Sequence, residues 1–511
     1  MTPFSLTTKC AARAALALAA MAILLLATGC GSSNNGGGGG GGGNTGFSNA
    51  NLNGHYVFSQ KGIAVTQDLQ STDFFSEGGI FTADGNGHLT NIIDDFTQSG
   101  VFFPGSGNPL SGTYGINTDG TGLLTFNFGG GVTSNFRISF TDTTHFYLIE
   151  QDGFGTGAGS GEKQSTTTFT PAATDTFIFS GHDLFFGSAR VGSMNFNAGA
   201  IAGVEDLLSG GGSLSSLSFT GNISQAPDAN GRGELTLSDG RLLGFYVVSS
   251  GKFRSLSTTG SLEVGVAELQ TGAPFSKASL GAGNAYVFGS AGETNFAAGI
   301  HSAGIFTTDG SGGVTGGATD FVQDGNLFSN VAVQNTSDYT LAATGRGVLN
   351  LDLAGNGTNQ KIFWMVSGTR AYFLVNSAST LEDGAFSSQQ GAPFAGAGLN
   401  AQAAFFMDGF DVAFKDRVGT FTPNGNGSLN WSHEADSFDP PSQTGILSSF
   451  STSGTYQLSS TGRATVTVKN LLGNGVDSSM VFYLVSNNTG YMVQEDQGFD
   501  IGGAFTVQTG P

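Results

Sequence analysis

Cysteine is nearly absent from this chain of 511 residues: there are two, Cys10 and Cys30, both near the amino terminus. The rest of the chain therefore has no disulfide framework and must hold itself by packing and backbone pairing. Charge is scarce too, at 11% of residues, and unbalanced, with 18 Lys and Arg against 38 Asp and Glu. A surface this acidic excludes nucleic acid and anionic lipid as electrostatic partners. Only two tryptophans occur, Trp364 and Trp431, which is thin support for a sugar-stacking lectin. The six histidines (His55, His88, His145, His182, His301, His433) show no His-x-x-x-His spacing, so no metal site or cofactor is read from them. No Gly-x-Ser-x-Gly elbow occurs, and no catalytic signature is present.

What is present begins with an export signal. Lys9 and Arg13 form a positive start, and Ala14 to Ala27 is an apolar run of fourteen residues. That length suits a signal core and is short for a bilayer span. The run ends in Ala27-Thr28-Gly29-Cys30, followed by Gly31-Ser32-Ser33-Asn34-Asn35 and eight glycines, Gly36 to Gly43. The Ala-Thr-Gly-Cys end resembles the lipobox of bacterial lipoproteins. The resemblance implies cleavage before Cys30, acylation of its thiol and a membrane partner reached through that lipid. An ordinary cleaved signal with an incidental cysteine is the other reading. The glycine run is a flexible tether. Residues 1–29 are thus the signal peptide and 30–46 the lipidated cysteine with its tether. Removal of the signal leaves 16 basic against 38 acidic residues, a formal charge of −22.

The remainder is rich in Gly (84) and Phe (44), yet Gly and Pro together stay below the quarter of residues that marks disorder. One turn recurs: Asp84-Gly85-Asn86-Gly87, Asp309-Gly310-Ser311-Gly312 and Asn424-Gly425-Asn426-Gly427. Such turns fit tight hairpins, because both central residues accept positive φ. Aromatic strands precede them at His55–Phe58, Ala285–Phe288 and Ala404–Met407, with Thr176–Phe179 opening a copy whose turn is degenerate. Later in each copy a Gly turn launches a period-two strand, for example Leu124, Phe126, Phe128 and Leu349, Leu351, Leu353. Aromatic strands follow through Phe136, Phe245, Phe363 and Phe482, which aligns Trp364 with Arg137, Tyr246 and Tyr483. Gln164, Gln270, Gln389 and Gln508 close the copies, each five residues after a Gly.

The expected fold is all-β: four tandem antiparallel β-domains of about eight strands each, barrel-like, with a sandwich or one propeller as alternatives. The copies span 47–168, 173–275, 284–394 and 395–511, and Pro-containing junctions follow the second and third at Pro274 and Pro393. Asp95, Asp206, Asp320 and Asp436 recur as carboxylates that either face a ligand or do a copied structural job. Glu150 with Asp152, and Glu495 with Asp496, are acid pairs without counterparts in copies two and three. Three functions fit, in descending order. The first is a non-enzymatic, lipid-anchored envelope protein at the outer membrane or cell surface, presenting domains for adhesion or matrix contact. The second is lipocalin-like binding of a small apolar ligand in a barrel interior. The third is a hydrolase of envelope or extracellular polymers.

Overall fold

The computed structural model describes residues 46–510, apart from 67–70, 106–109, 152, 184–186, 211–212, 295–297, 411–412 and 472–474. The signal segment, Cys30, nearly all of the tether and Asp152 lie outside the described residues. Thirty-four strands, β1–β34, account for most of the rest. They form four antiparallel units: β1–β9 (53–163), β10–β17 (176–269), β18–β26 (282–388) and β27–β34 (403–507).

Each unit is a closed barrel of eight strands. The first strand pairs with the second and with the last: β1 (Asn53–Val65) with β2 (Thr72–Asp84) and β9 (Gly155–Lys163) in barrel one. The same closure joins β10 (Thr176–Asp183) to β17 (Glu263–Leu269), β18 (Ala282–Thr294) to β26 (Thr380–Ser388), and β27 (Ala403–Phe410) to β34 (Asp500–Val507). Closure removes the two long edges an open eight-stranded sheet would present, which matters for a Phe-rich chain with few charges. The recurring turns are built by one oxygen each. Asp84 Oδ1 accepts from the N–H of Asn86 and His88, and Asp309 Oδ1 and Asn424 Oδ1 do the same in their copies. Gly85, Gly310 and Gly425 sit at φ between +71° and +79°, which side chains with a Cβ adopt at a cost.

Four apolar clusters are the barrel cores, around Phe58, Phe179, Phe288 and Phe405. A phenylalanine ahead of the first strand caps each core: Phe47, Phe169, Phe275 and Phe394. Phe275 and Phe394 therefore belong to barrels three and four, whereas the sequence boundaries gave them to the copies before. After each Pro the chain drops onto the next core, and the N–H groups of Phe275 and Phe394 bond to Ala343 and Ser460 there.

The barrels do not lie in an open row. Four more apolar clusters join them pairwise. Val57, Ile80 and Tyr246 join barrels one and two, and Ile178, Val191 and Trp364 join two and three. Val287, Ala303 and Tyr483 join three and four, and Ile149, Ala158 and Val418 join four back to one. The chain is a closed ring of four barrels.

Candidate functional site

The closing glutamines are the ring's fasteners. Gln164 Nε2 donates to the carbonyls of Asn230 and Val247 in the next barrel. Gln270 does so to Thr344 and Met365, and Gln389 to Thr461 and Leu484. Gln508 donates to Asp119 and Phe140 of barrel one, at 3.0 and 2.7 Å. The fourth fastener thus completes the circle.

Three of the recurring carboxylates sit in the joints. Arg232 Nε donates to Asp95 Oδ2 at 2.6 Å, and the Tyr246 hydroxyl meets the same oxygen at 2.6 Å. Arg346 grips Asp206 through two nitrogens at 2.8 and 2.6 Å, beside the Trp364 indole N–H at 2.8 Å. Arg463 and Tyr483 hold Asp320 in the same way. Burial acts to raise the Asp320 carboxyl, but the Arg463 and Tyr483 hydrogen bonds keep it below its usual range.

Among the described residues the joint from barrel four to barrel one shows no clasp of this kind, and strand register explains why Asp436 is not the fourth member. Asp95, Asp206 and Asp320 pair with Gly78, Val191 and Ala303 on the neighbouring strand. The equivalent Val418 pairs with Glu434, while Asp436 faces Asp416. Bulges in barrels one and three shift the sequence count by one residue, which hid this. Register also replaces Arg137 by Ser139 as the counterpart of Trp364, because Thr121, in the place of the clasp arginines, pairs with Ser139. Ser139 Oγ there donates to the Gly419 carbonyl at 2.9 Å. Trp364 lies buried in a joint and Trp431 in a barrel core, so neither offers a sugar an exposed face. Glu150 accepts from Gln60 inside barrel one, and Glu495 lies beside Arg463 at 3.5 Å.

Where all four barrels meet there is a cavity of about 140 Å³. Lys61, His182, Glu293, His301, Asp408 and Asp416 line it. Much of this charge is answered locally: Asp383 pairs with His182 at 2.6 Å, and Asp408 lies 3.7 Å from His301. Burial pushes up the Glu293 carboxyl, and burial with the neighbouring Asp408 pushes Asp416 far up.

The third barrel holds the more informative space, about 370 Å³, against about 20 Å³ in the second. Its origin is visible when the two are overlaid by register. Barrel two is filled by an ion network in which Arg190 and Arg241 bridge Glu205 and Glu263. The corresponding residues of barrel three are Ser302, Asn359, Thr319 and Glu382. Three long side chains are thus cut short and one carboxylate is kept. The barrel's seam is also thin there, with a single pair, Val333 to Leu353, closing it.

Lys361, on β24 (Gly357–Ser367), projects into this space. Its counterparts in the other barrels are Phe136, Leu243 and Met480, all core residues. It is 1% exposed, and its ammonium lies 4.6 and 4.5 Å from the ring centres of Phe288 and Phe373. It makes no hydrogen bond or ion pair with the described residues. Burial lowers its pKa to about 8, a shift that Glu382 only partly opposes. Glu382 Oε1 accepts from the Ser290 and Ser302 hydroxyls. Two residues before Lys361, Asn359 Oδ1 is a buried acceptor without a donor. Asn356, Thr358, Asn376 and Ser379 form a polar mouth that reaches solvent. Sequence reading missed this site, although a lysine at a register position that is apolar in three sister copies was a usable signal.

No family model matches the chain, and no curated protein matches it significantly.

Proposed function

We propose that this chain is a lipid-anchored cell-envelope protein whose third barrel binds a small polar ligand. One observation carries the binding reading: the 370 Å³ space into which an unpaired cation, Lys361, and an unpaired acceptor, Asn359 Oδ1, both project. Buried polar groups left without partners cost free energy, so a site that keeps two of them is set up for a ligand to complete. The polar lining favours a hydroxylated or carbonyl-bearing compound over the small apolar ligand expected of a lipocalin-like barrel. The envelope location rests on Ala27-Thr28-Gly29-Cys30 and the glycine tether.

The binding reading is tested by thermal-shift screening of sugars, sugar acids and small aldehydes against the full chain and Asn359→Phe, which fills the cavity. Hits that stabilise the wild type and not the variant support it. If no compound separates the two, adhesion through the outer surface becomes the better account. The anchor is tested by Cys30→Ser, expected to release the protein from membranes.

A further inference from the structure

Resting on the reading of barrel three as a ligand site, we propose that Lys361 is an amine nucleophile that forms an imine with a small aldehyde or ketone bound there. Four features of the geometry converge. The amine ends inside the cavity and is held by no hydrogen bond or ion pair with the described residues, so nothing must be broken before it reacts. The Phe288 and Phe373 rings sit 4.6 and 4.5 Å from its nitrogen and keep water from that side. Glu382, 1% exposed, is the carboxylate whose charge Lys361 feels, and two serine hydroxyls orient it. Asn359 Oδ1 is a vacant acceptor on the same inward face, two residues away.

The chemistry balances without a further reagent. The ammonium first loses its proton, and the nitrogen lone pair attacks the carbonyl carbon. The N–C bond forms as the C=O π pair moves to oxygen, and a proton passes from nitrogen to that oxygen to give a carbinolamine. The C–O bond then breaks, oxygen leaves as water with a second proton, and the nitrogen lone pair closes the C=N bond. Glu382, which lines the same space, is assigned the transfer of these protons and the charge opposite the protonated imine. Asn359 Oδ1 is placed to accept from the carbinolamine hydroxyl. A depressed amine pKa favours the first step, because the free base is then well populated near neutrality.

The test uses pyridoxal with sodium cyanoborohydride on the full chain at pH 7.5, with adducts mapped by peptide mass spectrometry. Lys361 should be labelled about tenfold faster than the exposed Lys277 and Lys163, because burial depresses its own amine pKa. Urea should erase the difference, and Glu382→Gln should slow labelling at Lys361 severalfold while leaving Lys277 unchanged. Lys361 labelled no faster than Lys277 in the folded protein overturns the proposal. If equilibrium dialysis meanwhile shows pyridoxal bound by the wild type and not by Asn359→Phe, the ligand site stands and only the covalent step is lost. Absence of both binding and labelling counts against the imine for this carbonyl class, and the thermal-shift screen decides separately on the cavity.

Discussion

Replacing Lys361 by methionine should make the protein more stable at pH 7. Methionine has nearly the same length, and the sister barrels carry Phe136, Leu243 and Met480 at this position. The Lys361 pKa falls from 10.5 to about 8 on folding. At about 1.4 kcal/mol per unit, the charged form is disfavoured by about 3 kcal/mol in the folded state. Loss of attraction to the Phe288 and Phe373 rings offsets about 1 kcal/mol of the gain, leaving about 2 kcal/mol. The sign follows from proton counting. Below pH 8 both folded and unfolded chains hold the proton, and the full penalty is present. Between pH 8 and 10.5 the unfolded chain binds more protons, so wild-type stability rises with pH and the penalty fades. Urea unfolding of both proteins at pH 7 and pH 10.5 therefore measures the effect as a difference, which cancels the buried tyrosines common to both. The advantage of Lys361→Met should shrink by about 2 kcal/mol between the two pH values, because the ring attraction is lost together with the charge. A variant less stable than wild type at pH 7, or a difference that does not change with pH, refutes the reasoning.

The other predictions concern the joints and one buried histidine. Asp95→Ala leaves the Arg232 guanidinium, 5% exposed, with only the Glu234 carboxylate at 3.2 Å, and should cost about 3 kcal/mol in urea unfolding. Gln508→Ala removes two hydrogen bonds that bring barrel four onto barrel one, and should raise amide hydrogen exchange at Gly419 and Ser139 more than at the other three joints. His433 lies buried beside Trp431 and Phe450, and burial, with the Arg417 charge, lowers its pKa to about 3. Its contribution is present above pH 6.5 and is lost as pH falls toward 3, so His433→Gln should flatten the acid limb of the stability curve there. An unchanged acid limb would exclude His433 as the group responsible.

Much of the architecture could be read from local residues. Turn chemistry at Asp84, Asp309 and Asn424 and the alternation after each Gly turn follow short-range rules, and they were enough for four eight-stranded units. Barrel against propeller was harder, because closure depends on β1 meeting β9 about a hundred residues later. The ring was legible only indirectly. Gln164, Gln270 and Gln389 each fasten to the following barrel, and Gln508, at the same offset, fastens to barrel one. Asp436 misled because a bulge changes the count along a strand without changing the face presented. Lys361 escaped because aligning copy one on Phe136, two residues from the register equivalent Ile138, concealed that its column is otherwise apolar.

Residues 46 and 509 both rest against barrel one near Thr118 and Thr141. A short peptide between these ends, with a cut at the connection near Gly272, would give a circular permutant that begins at barrel three and retains every interface. The numbering of the barrels is in this sense a convention of translation: what the molecule preserves is the cyclic order of its neighbours.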